Sequence, residues 1–295
     1  MDRDDLLRAA CFLALDALRA KLGDELPYRG AIDQKFVFDG RDIAFMNPQK
    51  GIHRARQQRG PAALSVMTSA KNPYGDGDTD EGFAYAYREG DPAQPDNRAL
   101  REAAALQVPI VYFYGTRPGA YQPIYPCYVH ADDPVGRRVF LSPGTTTTVG
   151  SSGPIVDGVE RRYVVREVRS RLHQARFRGL VLTAYRDRCT ICRLRENRLL
   201  DASHIVPDVE AEGVAEVRNG LALCTIHHRA YDHDLVGISP DYRVHVAPRL
   251  LDEDDGPMLD LLKAAQGVSI VLPGASRSRP DRDLLAVRFE RFERR

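Results

Sequence analysis

The sequence predicts an α+β protein with a β-rich N-terminal half and a small C-terminal half stapled by metal ligands. Three observations lead there. From Tyr28 to Leu141, short runs of β-branched and aromatic residues are broken by Gly, Pro, Asn and Asp, the texture of a sandwich or barrel. From Arg161 to Arg186, apolar residues return at helical spacing,. Just beyond, Cys189 and Cys192 recur as Cys224 and His227, again with two residues between the pair. That is the spacing at which two tight turns present four ligands to one tetrahedral zinc ion.

In chain order, Asp2 to Leu22 reads as an amphipathic helix with Leu7, Ala10, Ala14, Leu18 and Leu22 on one stripe, ended by Gly23 and Pro27,. Its acidic start lacks the basic n-region of a secretion signal. No apolar run approaches the roughly 18 residues of a membrane span. The chain is therefore expected in the cytoplasm, without a membrane partner. FVFDGRDIAFM, AALSVMT, FAYAYR, PIVYFYG and YPCYVH have strand composition, and NRALREAAAL, near Asn97 to Leu106, reads as a helix,. Cys11 and Cys127 are expected to be buried core thiols. Pro143 to Gly158 has the small, polar composition of an interdomain linker or a long exposed hairpin tip,. The helix from Arg161 leads into the first Cys pair. After Asp232, GISPDYRVHVAP suggests a hairpin around Pro240-Asp241, followed by a helix near Pro257 to Ala265, the strand VSIVLP and a charged tail. The expected domains are residues 1–142 and 161–295, joined by a linker at 143–160.

The formal net charge of +1 excludes a globally basic protein. The charge is uneven, however, with twelve arginines against four acidic residues between Glu160 and Arg198. Arginine suits bidentate phosphate contacts, although a codon bias towards arginine would leave the same mark. Five cysteines, three of them in the zinc pattern, fit a reducing compartment,.

Interleaved with the four zinc donors are His204, Asn219 and His228, in LLDASHIVP, RNGLALC and IHHRAYD, at separations of fifteen and nine residues. Together with the enclosing CxxC…CxxH, the pattern resembles the HNH (ββα-metal) endonucleases over about Arg176 to Val246. Hydrolysing a phosphodiester requires a base for water, a cation on the phosphate and leaving oxygen, and a group that fixes the base. The resemblance implies that His204 is the general base on a hairpin strand and that Asn219 orients its imidazole. His228, on the helix that follows, would bind a catalytic Mg²⁺ or Mn²⁺. Neutral histidine is available near pH 7 for the base role. Asp232, four residues after His228, shares its helical face and can join that cation. The family often places a second ligand immediately before the base. Here that residue is Ser203, and Asp201 is the nearest carboxylate that could supply the contact.

A second resemblance lies upstream. GIHRARQQRGPAALSVMTSAKNPYGDGDTDEGFAYAY and NRALREAAALQVPIVYF look like the SRA (SET- and RING-associated) fold, a PUA-like twisted β-barrel with flanking helices that flips modified cytosine out of duplex DNA. The match spans about Phe45 to Tyr114. A pocket of that kind needs aromatic faces for the base and a carboxylate for the cytosine amino group. Tyr74 fits one face and Tyr85 or Tyr87 the other, with Asp76, then Asp78, as the carboxylate. Phe83, Tyr85 and Tyr87 share one face of an alternating strand, so core packing competes with stacking for them. Lys50, His53, Arg54 and Arg56 would form a phosphate-contacting rim, and a solvated loop would look the same.

These readings combine into a modification-dependent endonuclease acting in restriction defence on double-stranded DNA with 5-methylcytosine or 5-hydroxymethylcytosine. It would act as a homodimer, with structural zinc and a catalytic divalent cation. A modified-DNA-binding protein with an inactive HNH scaffold is the alternative, favoured by Ser203. A zinc deaminase needs H-x-E followed by P-C-x-x-C, which no histidine or Cys pair here provides.

Overall fold

The computed structural model describes residues 2–70, 78–79, 82–147, 151–155, 157–207, 216–254 and 256–295. Two compact units emerge, residues 1–172 and 173–295, and the division falls inside the long helix α3, Gly158–Ala184.

The first unit opens with α1, Arg3–Leu22, closed at its start by a capping box between Asp2 and Asp5,. Leu7, Cys11 and Leu15 are its fully buried positions, whereas Leu22 is exposed. The buried stripe is thus turned slightly from the one the spacing suggested. Strands β1 (Leu26–Pro27), β2 (Phe36–Phe38) and β3 (Arg41–Ile43) follow, and β2 and β3 pair around the turn at Asp39 and Gly40. Next come β4 (Ile52–His53), β5 (Ser65–Thr68), β6 (Asp78–Thr79) and β7 (Gly82–Ala86). Helix α2, Pro95–Ala105, begins with proline in its first turn,. The long strands β8 (Ile110–Arg117), β9 (Ala120–Asp133) and β10 (Arg138–Pro143) complete the sheet.

Its order is β4-β5-β8-β9-β10-β7-β6, with β1 added beside β9. Among the described strands, only β5 and β8 run parallel. Among the described residues the order does not return on itself, so the barrel expected from the sequence is here a curled half-barrel whose end strands are two residues long. Strand β8 shows why the run PIVYF is continuously apolar. Ile110 and Tyr112 enter the core shared with α2, while Val111 and Phe113 enter the core shared with α1. A strand buried on both faces loses the usual apolar–polar alternation. Cys11 and Cys127 are fully buried, and burial pushes both thiols up. Within the stretch 143–158, β11 (Thr145–Thr147) and β12 (Ser151–Gly153) pair antiparallel.

The second unit contains the C-terminal half of α3, then β13 (Leu200–His204), β14 (Gly220–Cys224) and α4 (Thr225–Asp232). After these come the hairpin β15 (Val236–Ile238) and β16 (Val244–Val246), the short α5 (Pro248–Leu251), and α6 (Pro257–Lys263). The strand expected at VSIVLP reduces to a single bridge from Ser269 to Arg243. The Ile270 amide still donates to the Tyr242 carbonyl at 2.9 Å, but that of Val271 turns away to the carbonyl of Thr190 at 2.8 Å. The expected charged tail is instead helix α7, Arg282–Glu293, capped by Asp281. Phe292 of α7 packs over Gly237, where a Cβ would come within 2.6 Å of the ring.

Helix α7 is locked by charge. The carboxylate of Asp234 is 0% exposed and pairs with Arg288, itself 7% exposed, with Arg295 at 2.8 Å and Arg291 at 3.6 Å. Arg288 also donates to the carbonyl of Tyr231 and lies 4.6 Å from the centre of that ring. Removing one member of a buried pair strands the other. Asp234→Ala is therefore expected to destabilise the second unit by about 3–5 kcal/mol, read by chemical denaturation. A loss below about 1 kcal/mol, the usual worth of an exposed pair, would contradict this.

Candidate active site and metal centre

The stretch from Arg188 to Asp232 folds around the antiparallel pair β13 and β14. In the β13–β14 register, Leu200 faces Cys224 and His204 faces Gly220. Cys224 is also the residue that caps α4, so His227 falls in that helix's first turn. The other pair sits on a turn in which the Cys189 amide donates to Leu194 and the Arg193 amide donates back to Cys189, each at 3.0 Å. Turn, strand end and helix start thus bring four donors together.

Those donor atoms, three sulfurs and His227 Nδ1, lie within 4.8 Å of one another. Zinc bonds of about 2.3 Å to sulfur and 2.0–2.1 Å to nitrogen would, in a tetrahedron, separate donors by about 3.8 Å and 3.6 Å. Cys192 and Cys224 sulfurs are 3.8 Å apart, and Cys189 Sγ is 3.6 Å from His227 Nδ1. The Cys224–His227 separation is tighter, at 3.1 Å. The four groups also perturb one another. Hydrogen bonding with Cys189 and Cys224 pushes the Cys192 thiol up, while hydrogen bonding with Cys189 and Cys192 pulls Cys224 down. Burial lowers His227, but its hydrogen bonds with Cys189 and Cys224 prevail and lift it to about 9. A divalent cation relieves this conflict by holding the sulfurs as thiolates. The donor set fits a Cys₃His structural zinc, and it is the one group of this kind among the described residues.

On α4, His228 lies between two carboxylates. Its Nδ1 is 3.6 Å from Asp201 and its Nε2 is 3.4 Å from Asp232. The three residues singled out in the sequence for a second cation therefore meet. They do not all face one point, because the two nitrogens of one imidazole diverge. The arrangement fits a cation taken by one ring nitrogen and one carboxylate, with water completing the shell as hard cations allow. The other carboxylate is then placed to hold the second nitrogen. Asp201 is further steadied by Arg178 of α3, whose Nε is 3.4 Å away and whose terminal nitrogen donates to the carbonyl of Leu200 at 2.8 Å. Ser203 is 2% exposed, and its hydroxyl approaches the His204 carbonyl at 3.4 Å.

His204 ends β13, half-buried. Its imidazole stacks on Phe177 of α3 at 3.8 Å between ring centres and 5° between planes. Asn219, buried just before β14, joins its side-chain amide to the backbone of Val206 in both directions, at 2.8 and 2.9 Å. It thereby fixes the chain two residues beyond His204. Neither Phe177 nor Arg178 was singled out in the sequence. The only signal was an aromatic inside an arginine-rich helix, which reads equally well as core.

The first unit treats its candidates differently. Tyr74 and Asp76 lie outside the described residues, as does the side chain of Asp78. Tyr85 and Tyr87 are each 6% exposed and belong, with Phe83, to the apolar core. The Tyr85 hydroxyl donates to Met67 at 3.3 Å, and that of Tyr87 is engaged by Asp132. For these two rings the packing alternative describes their placement. His53, named for the phosphate rim, is half-buried. Burial lowers its pKa, and its Nε2 lies 3.0 Å from the Ala44 carbonyl. Lys50 pairs with Asp96 at 3.3 Å, Arg54 donates to Gly60 at 2.8 Å, and Arg56 is exposed. No helix among the described residues is long and apolar enough to cross a membrane.

Comparison with known proteins was made on this geometry. No curated protein matches the chain. Among solved structures, it is similar to a "Modification dependent TagI restriction endonuclease" at 18% identity, over 83% of this chain and 86% of that one, with a TM-score of 0.32. That score makes it a likeness only. Residues 189–239 match the HNH endonuclease family. The zinc-donor hairpin, with His204 on its first strand and His228 on its helix, is thus an HNH endonuclease domain.

Proposed function

We propose that this protein is a modification-dependent DNA endonuclease, selecting 5-methylcytosine or 5-hydroxymethylcytosine through its N-terminal unit and cutting through its HNH domain. The observation that carries the nuclease reading is the meeting of Asp201, His228 and Asp232 beside the hairpin that ends in His204. His204 takes the proton from the attacking water. Asn219 holds the chain that carries it, through Val206. His228 and one aspartate hold Mg²⁺ or Mn²⁺, which when bound supplies charge for the phosphate and the leaving oxygen. Alternation places Asp201 and His204 on opposite faces of β13. Among the described residues β13 pairs only with β14, so side chains from both faces border its other edge, where a phosphate can lie. Zinc holds the fold and takes no part in the chemistry.

The reader half rests on the sequence pattern around Tyr74 and Asp76, with base flipping as its means of selection. A homodimer would set two nicking sites on opposite strands. The test is supercoiled plasmid carrying cytosine, 5-methylcytosine or 5-hydroxymethylcytosine, incubated with Mg²⁺. Cleavage confined to modified plasmid is expected. Equal cleavage of all three removes the reader and leaves the nuclease. Binding of modified plasmid without nicking selects the inactive-scaffold alternative, for which the buried Ser203 in place of a metal ligand is the favouring observation.

A further inference from the structure

We propose that Phe177, on α3 and outside the matched residues 189–239, is a positioning residue for His204. In this account Gly220 lacks a side chain so that the two rings can meet. The proposal deepens the reading of His204 as the base and rests on it. Their near-parallel contact is close, at 3.8 Å and 5°. Phe177 is 4% exposed and packed in the same core as Val181 and Tyr185, so it is the fixed partner of the pair. A strand histidine has two side-chain torsions, and the second is broad and weakly restrained by itself. A flat ring against one face restrains that torsion.

A second, independent feature sits directly across the hairpin. Gly220 is the register partner of His204. A Cβ there would lie 2.4 Å from Val181 Cγ2 and 3.0 Å from Phe177 Cζ. Any other residue at 220 would push α3 off the hairpin and Phe177 off the imidazole. The Tyr185 hydroxyl, one turn from Val181, reinforces this approach by donating to the Gly220 carbonyl at 3.2 Å. The base is therefore held twice, at its ring face by Phe177 and at its following backbone by Asn219.

The test pairs kinetics with a spectroscopic signature in the full-length, zinc-loaded protein. Phe177→Leu keeps an apolar side chain and removes the flat face. It is expected to lower kcat on modified plasmid by about 10- to 100-fold, the scale of a small misplacement of a catalytic group, with KM and zinc content unchanged. Gly220→Ala should give the same split. In the wild-type protein, the His204 Cε1–H resonance, assigned by its absence from His204→Ala, should be displaced upfield by the Phe177 ring current. It should return towards its ordinary position in Phe177→Leu. If either variant fails to fold, the wild-type resonance decides: displaced upholds the stack, undisplaced overturns it. An inactive His204→Ala beside a Phe177→Leu of wild-type kcat overturns the positioning role alone. A fully active His204→Ala overturns the base reading, and this proposal with it.

Discussion

His204→Ala is expected to reduce plasmid cleavage by about 10²- to 10⁴-fold, the usual worth of a general base, while zinc content and secondary structure stay at wild-type values. The separation follows from where His204 sits. It is not one of the four zinc donors, and its ring stacks on Phe177. An aromatic pair of this kind contributes about 0.5–1.5 kcal/mol, a loss a folded unit tolerates. Rate and fold should therefore come apart, measured as single-turnover nicking beside zinc determination and circular dichroism. Cleavage at the wild-type rate would remove His204 from the base role, and Asp201 or Asp232 would have to take its place.

The opposite pattern is expected of Cys189→Ser. Here chemistry and fold should fail together, because the substitution exchanges a thiolate for a hydroxyl that zinc binds poorly. In small zinc modules, the metal contributes on the order of 10–16 kcal/mol of folding free energy, as large as or larger than the roughly 5–15 kcal/mol that holds a domain together. Cys189 is fully buried and ties the 189–194 turn to the base of α4 through His227. Its loss should release that turn, and with it the Thr190 amide that donates to Ala222 of β14 at 2.7 Å. The expected result is a protein without zinc, with a melting transition lowered by many degrees and no nicking. A zinc-loaded Cys189→Ser of normal stability would show that the quartet is not the staple.

How much was legible in the sequence depended on whether a feature is local. The zinc quartet was legible because ligand spacing within a turn is itself the chemistry. The same holds for His228 and Asp232, one helical turn apart, whose meeting the structure reproduces. Helices α1, α2, α3 and α6 were expected within two residues at most ends, since each carries its own apolar period or cap. What escaped was held by contacts between distant residues. Phe177 meets His204, and Arg288 meets Asp234, across separations no periodicity encodes. Helix α7 was passed over for that reason, because its inward face carries a buried arginine where a sequence reading looks for leucine. The reader residues show a different limit. Tyr85 and Tyr87 occupy alternate strand positions, and aromatics at that spacing serve a core as readily as a pocket. In the structure they are packed in the core.

The most direct test of the account is nicking of modified supercoiled plasmid, by protein carrying one zinc per chain, as a function of added Mg²⁺. Two cation sites with separate duties predict no nicking without added Mg²⁺, saturable nicking with it, and zinc unchanged throughout. Nicking that ignores Mg²⁺, or that rises and falls with zinc occupancy alone, would contradict it.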